Sequence, residues 1–317
     1  MGHHWTPEDM PSQAGRRAIV TGANSGIGYY AGVELARKGA HVLLACRDRL
    51  RGDAALSRLR AAVPNASAEV AQLDLASLAS VRAFAEDELK RGVPLDLLIN
   101  NAGVMAPKKR VQTKDGFELQ FGTNVLGHFA LTALLFPGLV RAAESHPEAP
   151  RVVTIASIAH KQGRMNFDDL QSARSYSPMG AYRQSKLANV MFALEFDRRL
   201  RGAGSPMDKI LSVAAHPGVA NTNLFQVGEY GTLERLVRRG FGVVIGTFLN
   251  SEQAGALPTL YAATAPEVKS GGYYGPLGFQ EMRGQVGLAT IASQARDAAV
   301  ASRLWSECER LTGVSLL

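Results

Sequence analysis

Tyr182 and Lys186, four residues apart, have the most distinctive chemistry of any pair in the sequence. On a helix this spacing places both side chains on one face. A free phenol has a pKa of about 10, which is too high for efficient proton transfer at neutral pH. An ammonium about 5 Å away, at an effective dielectric of about 20, contributes ~3 kcal/mol. The pair therefore predicts an acid/base tyrosine whose pKa is lowered by about 2 units.

Short β-branched runs alternate with helical segments along the chain, and these elements must position the pair. Strands are predicted at RAIVT, HVLLAC, AEVAQL, LDLLIN, RVVTIA, ILSVAA and GYYG. Helices are predicted over residues 29–38, 51–62, 76–90 and 117–143, from residue 179, and over 251–263. This alternation predicts an α/β fold, a doubly wound, mostly parallel seven-stranded sheet with helices on both faces. Residues 1–15 are expected to be an N-terminal extension and residues 16–317 a single domain.

The composition narrows the class of protein. Hydrophobic residues make up 46% of the 317 residues and charged residues 20%, which argues against a disordered chain. Cys46 and Cys308 form neither a disulfide framework nor a metal-ligand spacing, so we expect a cytoplasmic location and no metal site. The longest strongly apolar stretch, residues 241–249, is shorter than the about 20 residues that a bilayer requires. His3 and His4 are assigned no function.

The net charge of +7 raises the question of a nucleic-acid partner. The basic residues are spread along the chain, and no nucleic-acid-binding motif accompanies them. A substrate or cofactor that carries phosphate also favours a positive field. No nucleic-acid partner is therefore predicted.

A glycine-rich turn, TGANSGIG, lies between the first strand and the first helix. In this context the glycines permit a tight turn, a close approach of the backbone to a pyrophosphate, and close packing of the helix on the sheet. The N–H groups at the helix start attract phosphate. The turn predicts a dinucleotide site of the Rossmann type rather than a plain glycine-rich turn. Its expected cofactor-binding residues are Gly22, Asn24, Ser25, Gly26, Ile27 and Gly28.

The end of the second strand favours NADP over NAD. NAD-binding folds place an acid here for the ribose hydroxyls, whereas this chain has Cys46 followed by Arg47. A guanidinium can bind a 2′-phosphate, worth about 1.5–3 kcal/mol or about ten- to a hundredfold in preference. The alternative is that Arg47 is a solvated surface residue and Asp48 binds the ribose.

Further motifs follow in a fixed order: Asn101-Ala102-Gly103 after the fourth strand, Asn124 in TNVLGHF, Ser157 after RVVTIA, and then the Tyr182–Lys186 pair. Together with the glycine turn, they strongly resemble the short-chain dehydrogenase/reductase family. The resemblance extends from about residue 16 to residue 311. Within it, ACRD, NVLGHF, AYRQSKLANV and ARDAAVASRLW are similar to the retinol-dehydrogenase-like branch.

The resemblance implies roles for individual residues. Tyr182 would be the acid/base, Ser157 would hydrogen-bond the substrate oxygen, Lys186 would also hold the nicotinamide ribose, and Asn124 would hold a water linked to Lys186. Further cofactor contacts are implied for the adenosine and nicotinamide ends. These are Asp74, Leu75, Asn101, Ala102, Gly103, Pro217, Gly218, Val219 and Thr222.

Two stretches interrupt the alternation and follow strands directly, so both could overhang the ligand-binding edge of the sheet. The first, residues 161–178, lengthens the Ser157–Tyr182 spacing to 24 intervening residues, and whether the protein forms a homo-oligomer is therefore left open. His160, next to this stretch, and Tyr176, within it, could touch substrate. His128, His160 and His216 are otherwise expected to be packing or surface residues. The second, residues 223–250, is interpreted as a substrate lid. Its apolar part, 232–249, fits equally a helix packed on the core or another subunit, or a peripheral membrane contact.

The sequence thus predicts an NADP-dependent oxidoreductase that transfers a hydride between the nicotinamide and a lipophilic alcohol or carbonyl substrate. One alternative is an NADPH-dependent reductase of a carbon–carbon double bond in a large ring. Another is a non-catalytic, cofactor-binding sensor, which would have no chemical need for the complete Asn-Ser-Tyr-Lys set. The substrate and the direction of reaction are left open.

Overall fold

The computed structural model describes residues 4–219 and 250–317. One sheet of eight strands has the order β3-β2-β1-β4-β5-β6-β7-β8. The strands are β1 (Arg17–Thr21), β2 (His41–Cys46), β3 (Ala68–Gln72), β4 (Leu97–Asn100), β5 (Arg151–Ile155), β6 (Leu211–Ala215), β7 (Tyr273–Pro276) and β8 (Val286–Leu288). All neighbouring pairs are parallel except β7 and β8. The predicted doubly wound, mostly parallel sheet is confirmed.

Helices cover both faces of the sheet. They are α1 (Gly26–Arg37), α2 (Arg49–Ala62), α3 (Leu78–Lys90), α4 (Leu119–Ser145), α5 (Pro178–Ala203), α6 (Glu252–Thr264) and α7 (Ala298–Thr312). Side chains of α1, α2 and α6 share one hydrophobic cluster, and those of α3, α4, α5 and α7 share the other. Successive strand residues alternate between the clusters, as Ala18 and Ile19 do. Both faces of the sheet are therefore buried, which explains its continuous apolar strands.

The predicted count of seven strands is wrong by one. The missed strand, β8, has only three residues, Val-Gly-Leu, and lies at the sheet edge with Leu288 exposed. So short a run with a central glycine carries no alternation signal. Helix α7 was not predicted either, although its buried Ala301, Leu304, Trp305 and Cys308 follow helical spacing and Asp297 caps it.

Helix α4 has the predicted length but begins and ends two residues later than the predicted 117–143, and its apolar character was not predicted. Among the described residues it alone is long and apolar enough to cross a membrane by length and composition, with a mean hydropathy of 1.5. Of its most apolar window, 72% is buried inside the fold, where it packs against α3 and the sheet. We therefore assign α4 to the hydrophobic core. The stretch expected to be the longest apolar one, 241–249, lies outside the described residues.

The strand order reverses beside β1, because β2 and β4 flank it and connect in opposite directions. In parallel sheets a ligand crevice opens at such a point, beyond the carboxyl ends of the strands. The glycine turn follows β1, and the segments with Asn101, Ser157 and His216 follow β4, β5 and β6. The topology thus brings these four segments to one edge of the sheet, the edge formed by the carboxyl ends of its parallel strands.

Candidate active site

The turn between β1 and α1 forms one end of the site. Gly22 and Gly26 have φ angles of +67° and +61°, which glycine adopts without strain. A Cβ on Gly28 would lie 2.4 Å from Asn101 Nδ2, so α1 approaches the segment after β4 as closely as glycine allows. Ser25 is the N-cap of α1, and its side chain makes no capping hydrogen bond. The first N–H groups of α1 therefore remain suited to an anion.

We predict that Gly28→Ala destabilises the protein. The new methyl group would meet Asn101 Nδ2 and, at 2.9 Å, Gly22 O, and Asn101 Nδ2 is anchored by its hydrogen bond to Thr21 O. Overpacking of this kind lowers the free energy of unfolding by about 1–3 kcal/mol. Gly202→Ala in α5 is the control, because nothing lies within 4 Å of its added Cβ. Urea denaturation measures both; equal stability of the two variants would contradict the prediction.

The segment after β4 connects the glycine turn to the predicted catalytic residues. Thr21 Oγ1 accepts hydrogen bonds from the N–H groups of Asn101 and Ala102, both at 2.9 Å. Two residues on, a Cβ on Gly103 would lie 3.7 Å from Lys186 Nζ. The predicted adenosine-side residues therefore lie next to the predicted catalytic lysine.

At the end of β2, the residues after Cys46 differ in what their side chains contact. Arg47 is exposed, and within 4–219 and 250–317 its guanidinium forms no ion pair with a carboxylate. Asp48 is the N-cap of α2, and its Oδ1 accepts the N–H of Arg51 at 3.0 Å. The carboxylate of Asp48 is thus engaged in holding the helix start.

Asp74 and Leu75 follow β3, as predicted. Asp74 Oδ1 accepts the N–H of Ala76 at 3.1 Å, and its Oδ2 lies 3.2 Å from Lys114 Nζ. Leu75 is buried, and its carbonyl oxygen would lie 2.4 Å from a Cβ on Gly127. Close packing against α4 therefore holds this turn in place.

Asn124 lies in an irregular part of α4. Residues Gly122–Leu126 form a π-helical turn, in which the N–H of Gly127 bonds to Gly122 O. The Oδ1 of Asn124 accepts the N–H of Val104 at 2.8 Å, and its Nδ2 donates to Val104 O and to Ser185 Oγ, each at 3.0 Å. Wide turns of this kind occur often at functional sites. Here the π turn coincides with the side chain that joins α4 to α5.

Tyr182 and Lys186 lie on one face of α5, as their spacing predicts. Lys186 Nζ is 5.8 Å from the centroid of the Tyr182 ring and donates to Ile155 O at 2.9 Å. Asn189, one turn further, donates to the same carbonyl at 3.1 Å. Both tyrosine and lysine are buried. The end of β5 therefore fixes the direction of the lysine.

Burial governs the ionisation of this pair. It raises the pKa of Tyr182 to about 12, although a hydrogen bond with Ser157 lowers it. Burial also lowers the pKa of Lys186 to about 8. The predicted lowering of the Tyr182 pKa is therefore wrong for the free protein, because desolvation of the phenol outweighs its hydrogen bond with Ser157.

Ser157 follows β5 and begins the 3₁₀ turn Ile158–Gln162, where its Oγ accepts the N–H of Ala159 at 3.2 Å. The same side chain hydrogen-bonds Tyr182. The structure thus brings together the whole predicted set, with Ser157 beside the phenol and the Asn124 side chain bonded to the residue that precedes Lys186.

The segment after β6 lies next to this set. Gly218 has a φ of +69°, and a Cβ there would lie 2.2 Å from Met282 O. The N–H of Val219 donates to the same carbonyl at 3.0 Å. The β7–β8 connection therefore supports the predicted nicotinamide-facing residues. Thr222 and, apart from Asn250, the predicted lid lie outside the described residues.

His128, which was expected to be a packing or surface residue, is buried beside Asn124. Its Nδ1 lies 3.1 Å from Asn124 O and its Nε2 lies 3.0 Å from Thr21 Oγ1. Burial lowers its pKa to about 4, so the ring is neutral at pH 7 and links the π turn to the end of β1. Its position one helical turn after Asn124 was the available signal. Tyr176, by contrast, donates to Pro107 O at 2.8 Å.

A cavity of about 910 Å³ lies on the other side of α5. Leu187 and Met191, which line it, are about 140–180° around the helix from Tyr182 at 100° per residue. The cavity is therefore separate from the face of α5 that carries Tyr182 and Lys186.

The glycine turn and the Tyr182–Lys186 pair share one edge of one doubly wound sheet, and this combination defines a class, the oxidoreductases that use a nicotinamide cofactor. The chain belongs to the short-chain dehydrogenase family, whose model, described as short chain dehydrogenase, matches residues 16–229. The resemblance drawn from the motifs is thereby confirmed.

The chain is similar over nearly its whole length to curated members of the retinol-dehydrogenase-like branch. It is 43% identical over 308 residues to polyprenol dehydrogenase of Mus musculus, a match that covers 97% of this chain and 87% of the relative. It is 38% identical over 315 residues to retinol dehydrogenase 14 of Homo sapiens, covering 95% and 87%. A crystal structure of an uncharacterized protein from Mycobacterium paratuberculosis is 40% identical, with a TM-score of 0.79 and coverage of 99% and 100%.

Proposed function

We propose that this protein is an NADP(H)-dependent oxidoreductase of lipophilic alcohols or carbonyl compounds, with Tyr182 as the acid/base. The observation that carries the proposal is the buried contact of Tyr182 with Ser157, on the helix face that also carries Lys186. Packing places the phenol, a hydroxyl and an ammonium at the carboxyl edge of the sheet, beside the glycine turn. The non-catalytic alternative explains none of these contacts.

The residues of this chain supply the proton chemistry. The cofactor, when bound, supplies or accepts the hydride at its nicotinamide ring. Ser157 would donate a hydrogen bond to the substrate oxygen, and Tyr182 would give that oxygen a proton in reduction or take one in oxidation. Lys186 would stabilise the phenolate that reduction leaves. The N–H groups at the start of α1, which no side chain caps, and the close approach at Gly28 fit a dinucleotide pyrophosphate at the opposite end of the site.

The preference for NADP is supported by the two residues after Cys46. Arg47 is exposed and, in the part of the chain that the structure describes, free of carboxylate partners, so a 2′-phosphate meets no competitor there. Asp48 caps α2 and holds the N–H of Arg51. Binding a ribose hydroxyl would compete with that cap, which weighs against the NAD alternative.

We predict that Arg47→Ala lowers kcat/KM with NADPH by about ten- to a hundredfold and changes kcat/KM with NADH little, because a charge-assisted hydrogen bond is worth about 1.5–3 kcal/mol. Steady-state kinetics with each cofactor measure the change. Arg310→Ala on α7, whose guanidinium pairs with Glu307, is a control for the loss of one positive charge. An equal loss with both cofactors would count against recognition of the phosphate.

The lipophilic substrate is supported by the relatives, which are named for polyprenol and retinol, two apolar alcohols. A panel of long-chain and isoprenoid alcohols and aldehydes, matched with short water-soluble ones, tests this through nicotinamide absorbance. We expect kcat/KM to rise with apolar chain length. Turnover of a large-ring enone at its carbon–carbon double bond, with no turnover of carbonyl compounds, would instead support the double-bond reductase.

A further inference from the structure

Two consecutive residues in the β7–β8 connection adopt left-handed backbone conformations without being glycine. Gln280 has a φ of +49° and Glu281 a φ of +57°. Residues other than glycine rarely adopt this left-handed backbone region, and strain of this kind clusters at functional positions. Phe279 and Gln280 are exposed, whereas only 13% of the Glu281 side chain is. The strained backbone thus turns one carboxylate inward from an otherwise exposed tip.

The carboxylate of Glu281 joins three separate segments. Its Oε1 accepts the N–H of Thr290 at 2.9 Å. Its Oε2 lies 2.9 Å from Lys161 Nζ and 3.3 Å from His216 Nε2. Burial alone would raise the pKa of Glu281, but the bonds to Lys161 and to the Thr290 N–H lower it. The group is therefore an anion at neutral pH, facing a cation and an imidazole.

Both partners of Oε2 belong to loops of the candidate site. Lys161 lies in the 3₁₀ turn that Ser157 begins, and the neighbouring His160 holds Ser157 O through Nδ1 at 2.7 Å. His216 precedes Pro217 and accepts the N–H of Gly218 through Nδ1 at 3.2 Å. One loop carries the donor to the substrate oxygen, and the other carries the predicted nicotinamide contacts.

The orientation of His216 follows from these contacts. Because Nδ1 accepts a hydrogen bond, the ring hydrogen of the neutral imidazole is on Nε2, facing Glu281. Burial lowers the His216 pKa to about 4, so the ring stays neutral at pH 7. A Cβ on Gly275 of β7 would lie 2.0 Å from Nε2, which shows how closely the imidazole packs on that strand.

We propose that Glu281 is a positioning residue that ties the Ser157 loop to the 216–219 loop and so sets the alignment of substrate and nicotinamide for hydride transfer. This inference rests on the proposed function. Glu281 has no part in the proton chemistry; it acts through Lys161 and His216. Misplacing reacting groups by about 1 Å lowers a rate by up to about a hundredfold, so loss of the tie should appear in kcat.

The test compares Glu281→Gln, Lys161→Met and the double variant on the best substrate of the panel. We expect each single variant to lower kcat about tenfold or more, and the double variant to be no worse than Glu281→Gln, because both changes break one contact. With NADPH deuterated at C4, the primary isotope effect on kcat should rise as hydride transfer becomes slower. The Kd for NADPH, from its fluorescence, should change less than about threefold, since the phosphate contacts lie elsewhere.

Gln280→Gly is the matched control, since it relieves a left-handed backbone residue and leaves the carboxylate in place. We expect its kcat to be unchanged and its Tm to be equal or higher. The proposal is overturned if Glu281→Gln leaves kcat and the isotope effect unchanged, even if its Tm falls. If Glu281→Gln does not fold, the same outcome in Lys161→Met overturns it. Tyr182→Phe is measured alongside. If that variant retains turnover, the proposed function fails, and if it does not, an unaffected Glu281→Gln rejects the positioning role alone.

Discussion

Tyr182→Phe is expected to lower kcat by about 10²- to 10⁴-fold, the range that a positioned acid/base contributes. Phenylalanine keeps a buried ring at this position but removes the hydroxyl that is proposed to exchange a proton with the substrate oxygen. Ser157 stays in place, because the N–H of Ala159 holds its hydroxyl. Cofactor affinity should change only a few-fold, since the glycine turn and the segment after β4 are untouched.

Steady-state kinetics and NADPH fluorescence titration separate these two effects. Tyr261→Phe is the control, because this tyrosine lies on α6 and packs against Trp5, away from α5. A Tyr182→Phe enzyme that retains kcat within about threefold of the wild type would remove the acid/base role, since general acid–base catalysis is worth at least about 10². Loss of NADPH binding together with activity would point to a structural role.

Lys186→Met is expected to lower kcat by about a hundredfold, comparable with the loss of one electrostatic contact to a developing charge. The ammonium is 5.8 Å from the Tyr182 ring centroid, so removing it leaves the buried phenolate without a nearby cation. The Kd for NADP(H) should also rise, because the resemblance to the family implies that Lys186 holds the nicotinamide ribose. Lys186→Arg keeps the charge but presents a wider group to Ile155 O, and we expect it to recover only part of kcat.

We also expect Lys186→Met to stabilise the fold at neutral pH. Burial lowers the pKa of Lys186 from 10.5 to about 8, so the unfolded chain binds a proton more readily than the folded protein does. The unfavourable burial of the charge is fully present below about pH 8 and disappears as the pH rises toward about 10.4, the usual pKa of lysine. Thermal unfolding should give Lys186→Met a higher Tm than the wild type at pH 7, and the difference should shrink above pH 8. A lower Tm at pH 7 would show that the hydrogen bond to Ile155 O outweighs the buried charge.

Local sequence patterns predicted most of the fold. Apolar runs of four to six residues separated by helical segments indicate a parallel sheet, because strands buried on both faces need no polar alternation. The exceptions, β8 and α7, lie in the last 40 residues or so, where the three-residue β8 carries no pattern of its own. The resemblance to the family indicated Asn124, Ser157, Tyr182 and Lys186 as the catalytic set, and the structure brings their side chains together. Their catalytic roles stay predictions.

The predictions failed where burial or distant contacts decide the outcome. The phenol and ammonium were placed together correctly, but their ionisation was not, since it depends on how completely the fold removes water from both. His128 was expected to be a packing or surface residue and is buried, but the sequence did not show that its two ring nitrogens join Asn124 to Thr21. The π turn at Gly122–Leu126 also has no marker in the local sequence.

By itself, the amino-acid sequence determined the type of sheet, the glycine-rich turn between β1 and α1, and the placement of Tyr182 and Lys186 on one helix face. These features depend on periodicity and on spacings of a few residues, because the regular repeats of the helix and the strand set the direction in which each side chain points. Only the tertiary structure decided that Asp48 caps a helix, that burial sets the charges of Tyr182 and Lys186, and that Glu281 meets Lys161 and His216. Lys161, His216 and Glu281 are separated by 55 to 120 positions. Contacts over such distances along the chain follow from how the sheet is wound and from which side chains the fold removes from solvent.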